Sequence, residues 1–526
     1  LMKLKKEDQE ALKAKLLPSF IDPNDKNKRL YESDATVNIW WNSFFDMPLA
    51  RGYIDPPIGT TRRSGLFLLD TSIGNDILVR DLKFPQDLAK NYALFLTDWY
   101  GVYFFEGGHV SPASNSPPSS YLLKGDFFEK KEEVTTYGAI WRFQTANGRP
   151  QARFDLPQSL FYYKINEKYT SPILYGTNAP AIAVFTDDLG FEQLWRALAI
   201  ENINSRLLVP VYIGKDIDSV SPKELAQFEA VILHNYSYGN KEKAFRMLDE
   251  YIKKGGKLFV DTDGEVIDAN SDSLAELFPF DKSERKELQK TWDLEQTPDS
   301  LITGIDFSLF GPPIYNNKPW KFSYPTEGAV LHGDTKVILK NSGKPILIKR
   351  QYGAGKVIWS GMNLLYHINQ NPIRDEGKFF KNIITELVIL GDGQIVQADP
   401  VWNSPEKVHV KIDNRPKGIL FKEEYYNGWS AKDAKTGNQK IYKTGPTYPG
   451  FMYLPLKKNN ATTTDVFFYY NGDPLYWAVT FINLIAVILI LELIIFNGKV
   501  VGVRSQRMYH KIRKRVGLWW QKEDEE

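Results

Sequence analysis

EAVILHNYSYGNKEKAFRMLDEYIKKGGKLFVDTDG, residues 229–264, decides the fold. Ala230–His234 is a short, wholly apolar run. Lys241–Lys254 then places apolar residues at helical spacing, and Gly255-Gly256 stops that helix. Lys257–Asp261 is a second apolar run. Apolar strands alternating with amphipathic helices predict a parallel sheet covered on both faces.

The same rhythm extends in both directions. Upstream lie a strand at Ala181–Phe185, a helix over Phe191–Ile203, a strand at Leu207–Ile213 and a short helix from Ser221-Pro222 to Phe228. Downstream, an irregular insertion (about 265–328) precedes strands at Lys336–Leu339, Pro345–Lys349 and Lys356–Gly361. Gly353 and Gly355 offer a hairpin turn between the last two, and a helix over Phe379–Leu390 closes the unit.

On either side the pattern turns to β. Residues 21–175 read as β-rich, with strand-like runs at Thr36–Trp41, Gly65–Leu69, Tyr92–Leu96, Val102–Phe105, Thr136–Phe143 and Leu160–Ile165. Residues 396–472 carry short strands at sandwich-like spacing. The expected organisation is a charged N-terminal helix (1–20), a β-rich domain (21–175), an α/β domain (176–395), a β-sandwich-like domain (396–472), an apolar helix (475–496) and a basic tail (497–526).

Leu475 to Phe496 reads LYWAVTFINLIAVILILELIIF, with only Asn483 and Glu492 strongly polar. It reads as a single transmembrane helix, Tyr476 and Trp477 forming an interfacial belt and Asn483 a hydrogen-bonding point for partner helices. A buried soluble helix is the competing reading, against which stand six turns apolar on every face. Two lysines precede it and seven basic residues follow within 20 residues on each side. That bias predicts a cell-membrane protein with an extracytoplasmic body and a cytoplasmic C-terminus. The charged start, LMKLKKEDQE, is no signal peptide, so export implies absent upstream sequence; a tail anchor with a cytoplasmic body is the alternative.

Composition excludes several chemistries. Net charge is +2 with basic residues scattered outside the tail, which argues against a nucleic-acid partner. With no cysteine there is no disulfide framework, thiolate metal site or cysteine nucleophile. The six histidines show no metal-ligand spacing, and no P-loop, dinucleotide fingerprint or serine elbow appears.

Two family resemblances follow from the motifs. EAVILHNYSYG, GGKLFVDTDG and YGAGKVIWSGMN resemble the class I glutamine amidotransferase-like, flavodoxin-like fold. Active members carry a nucleophilic cysteine after the strand matching Lys257–Asp261. Here that turn is Val260-Asp261-Thr262-Asp263-Gly264, so amidotransferase activity is excluded. GILFKEEYYNGWSAKD, GFMYLPL and VFFYYNGDPLYW (within 418–496) resemble the C-terminal extracytoplasmic end of GT-C-type glycosyltransferase-like membrane proteins, with Tyr425, Tyr426, Gly428 and Trp429 matching a family stretch. The resemblance implies catalysis in membrane helices absent from this chain, and no catalytic residue carries over.

The candidate sites are three. Asp187, Asp188, Asp261 and Asp263 follow strands of the α/β unit, where carboxyl ends converge on a ligand crevice. They could hold a divalent cation or sugar hydroxyls, or simply cap helices. No other cofactor is indicated. Trp40, Trp41, Asp46 and Arg51 form a second cluster, and Asp98 with Trp99 a third; each combines rings and charges as a carbohydrate site would, or as an aromatic core with ion pairs would. The functional expectation is a glycan-binding or positioning part of a GT-C-like enzyme, acting on a glycan or lipid-linked sugar beside the bilayer and partner helices. The alternatives are a non-enzymatic surface scaffold and a hydrolase using the four aspartates.

Overall fold

The structure, a computed structural model, describes residues 17–496 apart from 33–40, 42–44, 51–64, 109–116, 138–143, 147–148, 152–156, 263–265, 316, 447–449, 458–461 and 473. Five parallel strands form its centre: β1 (Ala181–Phe185), β2 (Val209–Gly214), β3 (Ala230–His234), β4 (Lys257–Asp261) and β5 (Gly355–Ser360). Their spatial order is β2-β1-β3-β4-β5, that of a doubly wound sheet. β1 and β3 are buried along their whole length, as strands covered on both faces must be.

The sheet does not stop at this unit. Among the described residues thirteen strands hydrogen-bond into one sheet. Beyond β5 come Lys344–Tyr352, Thr335–Asn341 and Leu294–Gln296, all antiparallel. Beyond β2, Tyr442–Thr444 pairs antiparallel and leads through Phe451–Pro455, Gly418–Glu424 and Leu174–Thr177 to Ile395–Val396. A separate five-stranded antiparallel sheet from residues 399–470 packs a small apolar core around Val410, Phe421 and Phe468.

The helices used below are α1 (Gln86–Tyr100), α2 (Asp188–Ile200), α3 (Lys241–Lys253), α4 (Leu364–Gln370), α5 (Arg374–Leu387) and α6 (Pro474–Phe496). α1 docks on α2: the Phe95 and Trp195 rings stack at 6.5 Å, and Asn91 Nδ2 donates to Ile200 O at 2.6 Å. Each large side chain buried there contributes roughly 1.5–3 kcal/mol.

Three features of the expected fold are corrected. First, the stretch read as β-rich contains helices at Gly65–Ile73 and α1. Tyr92–Leu96 looks strand-like by composition, but Leu88, Tyr92, Phe95, Leu96 and Trp99 recur at helical spacing and are buried on that account. Second, the flanking β segments are not wholly separate domains, because strands of both extend the central sheet.

Third, among the described residues no helix is long and apolar enough to cross a membrane. α6 is helical over Pro474–Phe496, but its side chains are described only over Trp477–Leu491, where they are exposed. The transmembrane helix and the cell-membrane placement built on it therefore do not stand. Trp477 Nε1 donates back to Asn471 O at 2.6 Å, and Asn483 is exposed. The side chain of Tyr476 lies outside the described residues.

Candidate functional site

The crevice at the carboxyl ends of the parallel strands is where such a sheet would place a ligand. β4 ends there in Asp261, which is fully buried. Its two carboxylate oxygens accept the backbone N–H groups of Leu364 at 3.0 Å and Leu365 at 2.9 Å. These are the first N–H groups of α4, which nothing within the helix can satisfy. Asn363, left-handed at φ 53°, turns the chain into that helix. His234, at the end of β3, sets Nδ1 3.3 Å from Asp261, while its Nε2 lies 2.6 Å from Gln193 Oε1 on α2. The aspartate thus joins two strands and two helices in the interior.

The other carboxylates go elsewhere. Asp187 accepts Gly190 N–H at 2.8 Å as the N-cap of α2. Asp188 is exposed and pairs with Lys443 at 2.9 Å. Asp263 lies outside the described residues. The three described acids do not converge, and among the described residues no group of three or more His, Cys, Asp or Glu could hold a metal ion. Asp268, nearby, accepts the hydroxyls of Tyr236 at 2.7 Å and Tyr238 at 3.1 Å. Burial raises its carboxyl above the usual range, against the pull of those hydroxyls.

The aromatic–charged group disperses too. Trp41 is buried, its Nε1 donating to Met47 O at 3.0 Å and its ring tilted on Phe45 at 4.5 Å. Asp46 is exposed and pairs with Lys26 at 3.2 Å. Trp99 is fully buried and stacks on Phe451 at 6.4 Å. Trp40 and Arg51 lie outside the described residues. Trp41 and Trp99 are core residues that present no face to a sugar.

Asp98 sits in a buried polar knot that the sequence did not announce. It accepts Ser171 Oγ–H at 2.8 Å, Ser205 N–H at 3.1 Å and the Ser205 hydroxyl, and it pairs with Arg206 Nε at 2.9 Å. Lys422, buried in the strand Gly418–Glu424, donates to Ser171 Oγ at 2.6 Å and to the Asp98 carbonyl. The signal available was slight: Lys422 directly follows the apolar stretch GILF and begins the charged run Lys422-Glu423-Glu424. A second buried pair, His367 Nδ1 to Glu376 Oε2 at 2.8 Å, lies where the His367 ring stacks on Trp320 at 3.5 Å. Burial raises the Glu376 carboxyl, opposed by His367.

At the opposite, amino ends of the strands lies an open cleft of about 670 Å³. Lys257, the Glu229–Lys417 pair (2.5 Å) and the exposed Ile389 line it.

No family model matches this chain, and no curated protein matches it. Solved structures similar to parts of it include Cytoplasmic Protein STM1381 from Salmonella typhimurium LT2, at 14% identity and TM-score 0.30, covering 39% of this chain and 99% of that one. A catalytic mutant of Gan42B, a GH42 beta-galactosidase from G. stearothermophilus, is similar at 14% identity and TM-score 0.27, covering 56% and 41%. PurLQS from Thermotoga maritima is similar at 15% identity and TM-score 0.25, covering 40% and 100%. Scores this low carry no functional argument.

Proposed function

We propose that this chain is a non-catalytic binding and positioning module, working beside an enzyme of the GT-C glycosyltransferase type that its 418–496 region resembles. The observation that carries the reading is Asp261. At the strand end where the resembling amidotransferases hold their nucleophile, this chain has a carboxylate whose oxygens are both engaged by α4. A group so committed is a poor nucleophile or base, because reacting would strip two buried N–H groups of their acceptor. The continuous thirteen-stranded sheet supports the same reading, since it offers a stiff frame on which surfaces keep their spacing.

The test is turnover by the purified full chain on a panel of chromogenic glycosides and activated esters, beside Asp261→Asn. Neither protein should turn over any substrate. Hydrolysis by the parent chain that disappears in a folded Asp261→Asn would refute the proposal.

A further inference from the structure

Lys422 lies where four parts of the chain meet. α1 brings Asp98, the segment before Leu174–Thr177 brings Ser171, the loop after α2 brings Ser205 and Arg206, and the N-terminal strand Arg29–Glu32 brings Arg29. The lysine is fully buried. Its Nζ touches Ser171 Oγ, which passes a hydrogen bond to Asp98 Oδ2, and it lies 5.1 Å from the Tyr175 ring centroid. Arg29 donates to the carbonyls of Tyr100 (2.8 Å) and Lys422, and pairs with Glu423 at 3.0 Å.

The charges of this cluster point one way. Asp98 and Glu423 are the anions paired within it, and Arg29 and Arg206 are their partners. Those four balance with Lys422 as a neutral amine. An ammonium there adds a net charge to a site closed to water, which is costly unless it is compensated. Glu424, beyond Glu423 on the same strand, accepts the Tyr426 hydroxyl instead.

We propose that Lys422 is a proton-operated joint: as a neutral amine it holds the N-terminal unit and α1 tightly to the central sheet, and on protonation it loosens them. Burial, reinforced by Arg29 and Arg206 and opposed by Asp98, lowers the amine from 10.5 to about 7. The unfolded or opened chain keeps the proton up to about 10.5, whereas the closed junction releases it above about 7. Closure is therefore favoured increasingly as pH rises from about 7, and the gain is absent below that. This inference is independent of the proposed function, because it concerns how the units are held together and not what they bind.

The test is amide hydrogen exchange of the full chain between pH 6 and 8.5, corrected for the intrinsic pH dependence of exchange. Protection of residues 86–100 and 171–177 should rise about tenfold per pH unit above about 7 in the parent chain. In Lys422→Met it should not change with pH. In Lys422→Arg, permanently charged, it should stay at the low-pH level. Equal pH dependence in the parent and Lys422→Met would overturn the proposal. Should both variants fail to fold, the Nζ nitrogen resonance of the parent decides. An amine signal at pH 8.5 supports the joint, and an ammonium signal there overturns it.

Discussion

Replacing Asp261 by asparagine keeps the shape of the side chain and removes its charge and one acceptor. In the parent chain both oxygens accept helix N–H groups, at 3.0 and 2.9 Å, and His234 stands 3.3 Å away. Asparagine can serve one of those N–H groups with its carbonyl oxygen. Its NH2 group must then face the other N–H, donor to donor, with no water at hand because the residue is fully buried. A buried N–H left unpaired costs about 1–3 kcal/mol, and a hydrogen bond to a charged acceptor is worth about 1.5–3 kcal/mol. The substitution should therefore destabilise the central unit by about 3 kcal/mol. The assay is equilibrium urea unfolding combined with hydrogen exchange of Leu364 and Leu365, whose amides should lose protection first. Asp187→Asn is the control. Asparagine caps a helix as well as aspartate does, so it should change stability by less than about 0.5 kcal/mol. A loss below about 1 kcal/mol for Asp261→Asn, with Leu364 and Leu365 still protected, would refute the structural role assigned to this carboxylate.

Asp98→Asn should cost more, about 3–5 kcal/mol by urea unfolding, because it leaves Arg206 and the buried knot without their counter-charge. Asp299 should govern part of the acid limb of stability. Burial raises its carboxyl, but Lys336, the Leu301 N–H and Lys349 outweigh that and hold it at about 2. Its contribution is complete above about pH 4 and lost as pH falls towards 2, so Asp299→Asn should remove about 2 kcal/mol of pH-dependent stability in that window, read from unfolding at stepped pH. Gly361→Ala should destabilise the edge of the central unit by roughly 3 kcal/mol, measured as a fall in the urea midpoint, because an added Cβ would stand 1.9 Å from the Ser323 carbonyl oxygen.

The parallel strands were legible because each is a short apolar run between turn residues, and burial on both faces imposes that pattern whatever lies around it. α1 was not legible as a helix from its local content. Aromatic residues favour strands as well as cores, and only the spacing of Leu88, Tyr92, Phe95 and Trp99 distinguishes the two. Asp188 and Asp261 looked alike in sequence, each at the end of a strand. In the structure one is exposed on a lysine and the other is enclosed by two helices and a histidine. Trp41 and Trp99 looked like sugar-stacking rings and are core.

The sequence by itself determined the strand–helix rhythm of the centre and the absence of any thiol chemistry, since both follow from residue type and near-neighbour spacing. Tertiary structure alone decided which charges are buried and with what partners. Lys422 meets Asp98 across 324 positions, and Asp261 meets Leu364 across 103. A charge's energy depends on the water removed from it and on the groups brought to it, and both are set by contacts between segments far apart in the chain.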